Sequence, residues 1–146
     1  MNPKIIKLII NLYPPYLGTG ITVKRISPNY REICVQMKLR WYNRNYVKTH
    51  FGGSLYAMTD PFFMLMLIHI LGKDYVAWDK AAHIDFIKPG SGTVTADFLI
   101  EEEQIQDIID RTSNGEKYFP EFSVDIENES HDVVAKVNKT LYVRKK

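Results

Sequence analysis

The chain has 146 residues, of which 45% are hydrophobic and 25% charged, so it is long enough for one folded domain with its own core. Its net charge of +2 is too small to indicate a nucleic-acid-binding protein. The one cysteine, Cys34, excludes an internal disulfide and fits a reducing compartment. We therefore expect one cytoplasmic domain over residues 1–146, with no nucleic-acid partner.

The first 26 residues predict a short amphipathic helix and then a strand. Asn2 followed by Pro3 is typical of an N-cap with proline in the first helical turn, and Tyr13-Pro14-Pro15 should end the helix. The apolar stretch is interrupted by Lys7 and lacks a small-residue cleavage site, so it does not resemble a signal peptide. A strand is expected over residues 21–26.

From residue 33 onward, apolar and polar residues alternate, which predicts a half-buried antiparallel strand. The residues expected to face the core are Ile33, Val35, Met37, Leu39 and Trp41.

The longest apolar run lies between Leu55 and Leu71 and leaves no polar stripe. A helix that is apolar on all sides belongs inside a protein or in a membrane. Because the carboxylate of Asp60 would be costly inside a bilayer, we predict a buried central helix over residues 54–71 and no membrane partner. Gly72 should end this helix.

Four further strands are predicted in the second half, over residues 75–88, 93–101, 118–127 and 133–143, with a charged turn region over residues 102–116. Period-two spacing predicts that the first of these strands turns Val76, Trp78, Ala82, Ile84 and Phe86 inward. Lys139 interrupts the inward series of the last strand, so we expect that strand to be an edge or partly exposed.

A sheet wrapped around one apolar helix resembles the hotdog fold, an α+β architecture, and the residues around the helix resemble its thioesterase branch. The phenylacetate-pathway and acyl-CoA thioesterases carry Asn, then Thr-x-His-Gly-Gly, and an Asp about two helical turns later. The matching residues here are Asn45, Thr49, Gly52, Gly53 and Asp60. Residues 84–89 and 92–94 resemble the third strand of that family and its turn. The family's histidine falls on Phe51, whereas His50 lies one position earlier.

The resemblance implies hydrolysis of a small-molecule thioester, above all an acyl-CoA. It implies that the N–H of Gly52 polarises the carbonyl, that Gly53 permits close approach, and that Asp60 is the general base or nucleophile. Asn45 would orient water or the carbonyl, and Asp79 would be a second polar helper. Sites of this fold lie between subunits, so Asp60 would face Gly52 of a partner in a homodimer or a dimer of dimers.

The substrate-binding residues expected beside this site are Thr49, Phe51, Arg44 and Lys48. The two basic residues could bind the phosphates of coenzyme A, or they could simply form a solvated face. The four histidines lack metal-ligand spacing, so neither a metal nor a cofactor is expected. The missing family histidine leaves open a second interpretation, a non-catalytic module that binds acyl ligands.

Pro61 adds a local reason to assign a function to Asp60. Proline inside a helix removes a backbone hydrogen bond and biases the preceding residue away from helical geometry. Local rules are broken more often at functional sites than elsewhere. The alternative is that the helix bends at Pro61 only to follow the curvature of the sheet.

Overall fold

The computed structural model describes residues 1–146 and contains five helices and six strands. The helices are α1 (Pro3–Asn11), α2 (Pro14–Thr19), α3 (Gly52–Ala57), α4 (Phe62–Leu71) and α5 (Glu102–Thr112). The strands are β1 (Ile21–Ile26), β2 (Glu32–Lys38), β3 (Tyr75–Phe86), β4 (Thr93–Leu99), β5 (Glu121–Glu127) and β6 (Val133–Lys145). They form one antiparallel sheet in the order β1-β2-β4-β5-β6-β3, which confirms the α+β class.

The core lies between the inner face of this sheet and the helical segment α3–α4. Phe62 and Phe63 begin α4 and are fully buried, with ring centroids 5.1 Å from that of Phe98 on β4. Phe63 also stacks on Phe122 of β5 at 5.0 Å. These contacts fix the helical segment across the middle of the sheet, and so they fix the position of the residues between α3 and α4.

The central segment differs from the single buried helix predicted from its sequence. It is interrupted between α3 and α4, at the position where Pro61 predicted an irregularity. It is also not buried on all sides, since Ile68 is 43% exposed. By length and composition alone, the segment Gly52–Leu71 could cross a membrane. However, 44% of its most apolar stretch is buried within the protein.

The N-terminal helix forms as predicted, with the side chain of Asn2 accepting a hydrogen bond from the Lys4 N–H at 2.9 Å. The two prolines end α1, but they also begin a second helix, α2, that the sequence did not predict. The Asn11 side chain accepts from the N–H of Val23 at 2.7 Å and donates to its carbonyl at 3.0 Å. These bonds attach the end of α1 to β1, the strand at one edge of the sheet.

Strand β2 buries Ile33, Val35 and Met37 as predicted, but it ends at Lys38. Leu39 and Trp41 therefore lie in the following loop, and Trp41 is 79% exposed. Alternation in the sequence continued past the last residue that pairs with a neighbouring strand.

The predicted inward face of β3 is wrong in its first half. An irregularity in pairing between Asp79 and Ala81 shifts the alternation, so Ala77 packs on the core while Trp78 lies on the outer face, stacked on Tyr142. After the bulge, Ile84 faces the core as predicted. Because β3 is an edge strand, much of its inner face is uncovered.

Strand β6 is not an edge strand, contrary to the prediction from Lys139. It pairs with β5 on one side and β3 on the other, and Lys139 is fully buried on its inner face. The charged region after β4 is likewise not a simple turn. It forms α5, which has a capping box between Glu101 and Gln104 and buries Ile105 and Ile108.

Candidate active site

Two acidic side chains meet at one buried lysine beside the interruption in the central segment. The Nζ atom of Lys139 lies 3.0 Å from Oδ2 of Asp79 and 3.5 Å from Oδ1 of Asp60. The lysine side chain has no exposure, whereas Asp79 is 24% and Asp60 50% exposed. The cluster therefore joins a buried cation to an acid that solvent or a ligand can reach.

Each member of this cluster is held by a different element. Asp79 lies at the bulge of β3, and Lys139 lies on the neighbouring strand β6, with its Nζ 5.5 Å from the ring centre of Tyr56. Asp60 follows α3, and its backbone carbonyl accepts a hydrogen bond from the hydroxyl of Tyr16 on α2. Because the backbone of Asp60 is fixed by Tyr16, its carboxyl group can be directed to Lys139.

Two carboxyl groups compete for the one ammonium group. Burial raises the pKa of Asp79; Lys139 opposes this shift, and the carboxyl of Asp60 adds to it. The Oδ1 atom of Asp79 is buried and has no hydrogen-bond partner in the protein. Burial also raises the pKa of Tyr16 far above its usual range, so its hydroxyl stays a donor to Asp60. The cluster is therefore suited to holding a proton on the carboxyl group of Asp79.

A second group of residues lies in the loop that leads into α3. The Asn45 side chain accepts from the Thr49 N–H at 3.0 Å and donates to the Thr49 Oγ1 at 2.9 Å. It also donates to the carbonyl of His50 at 3.3 Å. Asn45 and Thr49 line a depression of about 400 Å³ together with Gly52. In this conformation Asn45 shapes the loop that presents Gly52.

The two glycines at the start of α3 allow close approach of aromatic rings. A Cβ atom on Gly52 would lie 3.1 Å from the ring of Phe86, and one on Gly53 would lie 2.6 Å from the ring of Phe51. The N–H groups of both glycines donate no hydrogen bond within the protein, as expected for the first turn of a helix. Gly52 therefore offers a free donor in the wall of the depression.

His50 does not take the place of the histidine that the resemblance expects. It is 3% exposed, and its Nε2 atom lies 2.8 Å from the carbonyl oxygen of Gly92. Burial lowers its pKa, so the ring is neutral and packs as part of the loop's support. Phe51, at the position of the family's histidine, is 57% exposed.

Among the predicted site residues, Asp60 and Asp79 form one group, and Asn45, Thr49 and Gly52 form another. The two groups lie at opposite ends of α3, whose six residues correspond to about 9 Å of helical rise. Arg44 and Lys48 are exposed on the same loop as Asn45 and form no ion pair. No cluster of three His, Cys, Asp or Glu side chains is placed to hold a metal ion.

One residue of the cluster, Lys139, and one residue that supports it, Tyr16, were missed from the sequence. Lys139 carried a signal, since it occupied an inward position in an apolar strand, and a charge at such a position must be paired if it is buried. Tyr16 carried no comparable signal, because an aromatic residue after two prolines has many possible environments. Its contact with Asp60 depends entirely on the packing of α2.

Comparisons with known proteins agree with the hotdog architecture. The structure is similar to that of PA5026 from Pseudomonas aeruginosa, a protein of unknown function described as a probable thioesterase. The TM-score is 0.86 at 13% identity, covering 100% of this chain and 97% of that one. It is also similar to the thioesterase HI1161 from Haemophilus influenzae, with a TM-score of 0.72 at 14% identity, covering 99% and 92% of the two chains.

A third similar structure is the PaaI protein of the phenylacetic acid degradation operon of E. coli. Its TM-score is 0.66 at 17% identity, covering 98% of this chain and 91% of that one. At identities this low, these similarities establish the fold. A sequence comparison with curated proteins gives no match. The family model described as a domain of unknown function, DUF4442, matches residues 3–143. The chain therefore has the hotdog fold and belongs to the DUF4442 family.

Proposed function

We propose that this protein hydrolyses a small-molecule thioester and that its substrates are acyl-CoA molecules. The observation that carries the proposal is the Asp60–Lys139–Asp79 cluster, in which a half-exposed carboxyl group is held beside a buried cation and a second acid. The thioesterase names of the structurally similar proteins support the same reaction class.

In this proposal Asp60 is the general base. It accepts a proton from a water molecule as the water oxygen attacks the thioester carbonyl carbon. The carbon–sulfur bond then breaks, the thiolate leaves and takes up the proton, and the acyl group remains as a carboxylic acid. Lys139 offsets the cost of a negative charge on Asp60. Asp79, whose carboxyl resists ionisation because it is buried, relays the proton to the leaving sulfur.

The developing negative charge on the carbonyl oxygen needs a donor, and Gly52 supplies it through its free N–H. Gly52 and Asp60 of one chain lie at opposite ends of α3, so we propose that the site is completed by Gly52 of a second copy. The uncovered inner face of the edge strand β3 supports this pairing, since it exposes Ala82 and Phe86.

The loop before Gly52 binds the carrier part of the substrate. Arg44 and Lys48 are exposed, carry no ion-pair partner and are free to meet the phosphates of coenzyme A. Thr49 and the exposed ring of Phe51 would contact the part of the ligand nearer the thioester. Asn45 acts on this site by fixing the loop through its bonds to Thr49.

Two observations favour a second candidate, a non-catalytic module that binds acyl ligands. Lys139 gives Asp60 the counter-ion that a structural acid would have. Phe51 stands where the family resemblance expects a histidine, and its side chain cannot transfer protons. The same depression would then hold an acyl thioester without cleaving it.

The test is to incubate the purified protein with acyl-CoA molecules of increasing chain length and to follow the free thiol with a chromogenic reagent. We expect thiol release in proportion to the amount of protein for at least one acyl class. A thioether analogue of the same substrate, which cannot be hydrolysed, measures binding separately by calorimetry. Binding of the analogue without thiol release from any substrate would contradict hydrolysis and favour the binding module.

A further inference from the structure

One face of α1 presents large aliphatic side chains to solvent. Ile5, Leu8, Ile9 and Leu12 are 50%, 61%, 55% and 61% exposed. Their spacing of three and four residues places them on one side of the helix. Ile10, on another side, packs against the hydrophobic core. The helix therefore has two apolar faces, and the fold covers only one of them.

The exposed face continues into α2. Tyr13 precedes the first proline of α2 and is 52% exposed, and Leu17 is 57% exposed. We call these six residues the α1 patch: Ile5, Leu8, Ile9, Leu12, Tyr13 and Leu17. Contiguous apolar patches of more than a few hundred Å² are uncommon on monomeric proteins and mark interaction surfaces.

The helix that carries the α1 patch is firmly attached to the sheet. Asn2 caps its first turn, and Asn11 bonds to both backbone polar groups of Val23. The hydroxyl of Tyr30 donates to the carbonyl of Met1 at 2.7 Å. The patch is therefore a fixed feature of the folded surface, not part of a loose terminal segment.

The segment that carries the α1 patch has charges of one sign only. Residues 1–31 contain no acidic residue; their charged residues are Lys4, Lys7, Lys24, Arg25 and Arg31. Arg25 and Arg31 are paired with Glu32 and Glu102, whereas the three lysines have no ion-pair partner. Lys4 and Lys7 lie on the same helix as the exposed aliphatic residues.

The exposed aliphatic side chains and the unpaired lysines together indicate what kind of surface could cover the patch. A second copy seated on the patch would offer the lysines no acidic partner from its own residues 1–31, because these contain no Asp or Glu. An anionic lipid surface offers both an apolar boundary layer and negative headgroups, which is what an amphipathic helix with flanking lysines binds.

We propose that the α1 patch docks on an anionic lipid surface. Its aliphatic side chains enter the boundary between headgroups and acyl chains, and Lys4 and Lys7 contact lipid phosphates. Such a contact lies on the membrane and does not span it, so it revises the expectation of no membrane partner, which was argued from the central helix. It is independent of the proposed catalytic function.

The test is flotation of the full chain with vesicles of phosphatidylcholine alone and of phosphatidylcholine mixed equally with phosphatidylglycerol. Two double variants probe the patch, Leu8→Gln/Leu12→Gln and Lys4→Gln/Lys7→Gln. Leu99→Gln is the matched control, because Leu99 is 49% exposed but lies at the end of β4. Light scattering of each variant without lipid reports its oligomeric state.

We expect the wild type and Leu99→Gln to float with the mixed vesicles far more than with phosphatidylcholine alone, and high salt to reduce this binding. Each double variant should bind the mixed vesicles at least roughly tenfold more weakly than the wild type does. Absence of flotation, or binding that both double variants retain, would overturn the proposal. So would a Leu8→Gln/Leu12→Gln protein that changes its oligomeric state while its vesicle binding stays the same, because the patch would then join copies of the chain.

Discussion

The buried ammonium group of Lys139 on β6 donates a hydrogen bond to Asp79 on β3 at 3.0 Å. Lys139 occupies an inward position of a strand whose other inward residues are apolar. A buried charge is tolerated only when it is paired and hydrogen-bonded. The same ammonium group also reaches Asp60. The pairing therefore links the stability of the sheet to the state of the candidate site.

Lys139→Met should lower the free energy of unfolding by about 2 kcal/mol, because it leaves Asp79 buried without its cation. The loss is expected to be smaller than for a fully buried pair, since Asp60 is half exposed. Urea denaturation measures it. Lys136→Met is the control on the same strand. Lys136 is exposed, and its Nζ atom forms only a long ion pair, 3.9 Å from Oδ1 of Asp125. Equal losses in the two variants would show that the buried pair contributes nothing special.

Asp79→Asn should change the dependence of stability on pH. Burial raises the pKa of Asp79 in the folded state above its ordinary value of 3.8, so folding favours its protonated form. The stability that this carboxyl contributes is complete below 3.8 and is lost as the pH rises through the raised folded value. The stability of the wild type relative to Asp79→Asn should therefore fall as the pH rises. A relative stability that increases with pH would mean that pairing with Lys139 outweighs burial.

Ala82→Arg should prevent pairing of two copies through β3. Ala82 is exposed on the inner face of this edge strand, and Ala81 points to the outer face, so Ala81→Arg is its matched control. Light scattering should give about twice the 17.0 kDa of one chain for the wild type and for Ala81→Arg. It should give one chain, without thioester hydrolysis, for Ala82→Arg. A monomeric wild type with activity would contradict the shared site.

The double variant Arg44→Gln/Lys48→Gln should raise the KM for an acyl-CoA about fivefold to tenfold and leave kcat unchanged, because it removes two cations from the proposed phosphate contacts. The same acyl group on pantetheine lacks the nucleotide phosphates, so its KM should not change. A KM that rises equally for both substrates would indicate that the loop has been disturbed. An unchanged KM for acyl-CoA would remove these residues from the site.

The sequence predicted most of the fold because its strands and its central segment have strong periodicity. Ile33, Val35 and Met37 are buried as their alternation predicted. Alternation does not report where pairing stops, so Trp41 was placed in a strand that ends before it. It also does not report a bulge, so the first half of β3 was assigned to the wrong faces. The helix α5 was missed because it buries only two isoleucines and most of its other residues are charged or polar, so its apolar periodicity is weak.

The candidate site was predicted in part. Asp60 was singled out because it is the lone acid of an apolar segment and is followed by a proline. Both are local signals. Its partner Lys139 comes from the last strand, and only the tertiary fold brings the two together. Lys139 was interpreted as a mark of an edge strand, because the sequence did not show that two acids would neutralise it. Its paired burial is a property of the sheet order, which local patterns do not encode.

Asp60→Asn tests the central claim most directly, with kcat for acyl-CoA hydrolysis and urea denaturation measured on the same sample. We expect kcat to fall by roughly 10²-fold or more, because the amide cannot accept the proton of the attacking water. The free energy of unfolding should change by less than about 1 kcal/mol, since Asp60 is half exposed and its backbone bond to Tyr16 is unaffected. We expect this change to be a small loss, because the amide gives up the charge that faces Lys139 at 3.5 Å. A variant that keeps its kcat but unfolds at lower urea would contradict the account and make Asp60 a structural residue of a binding module.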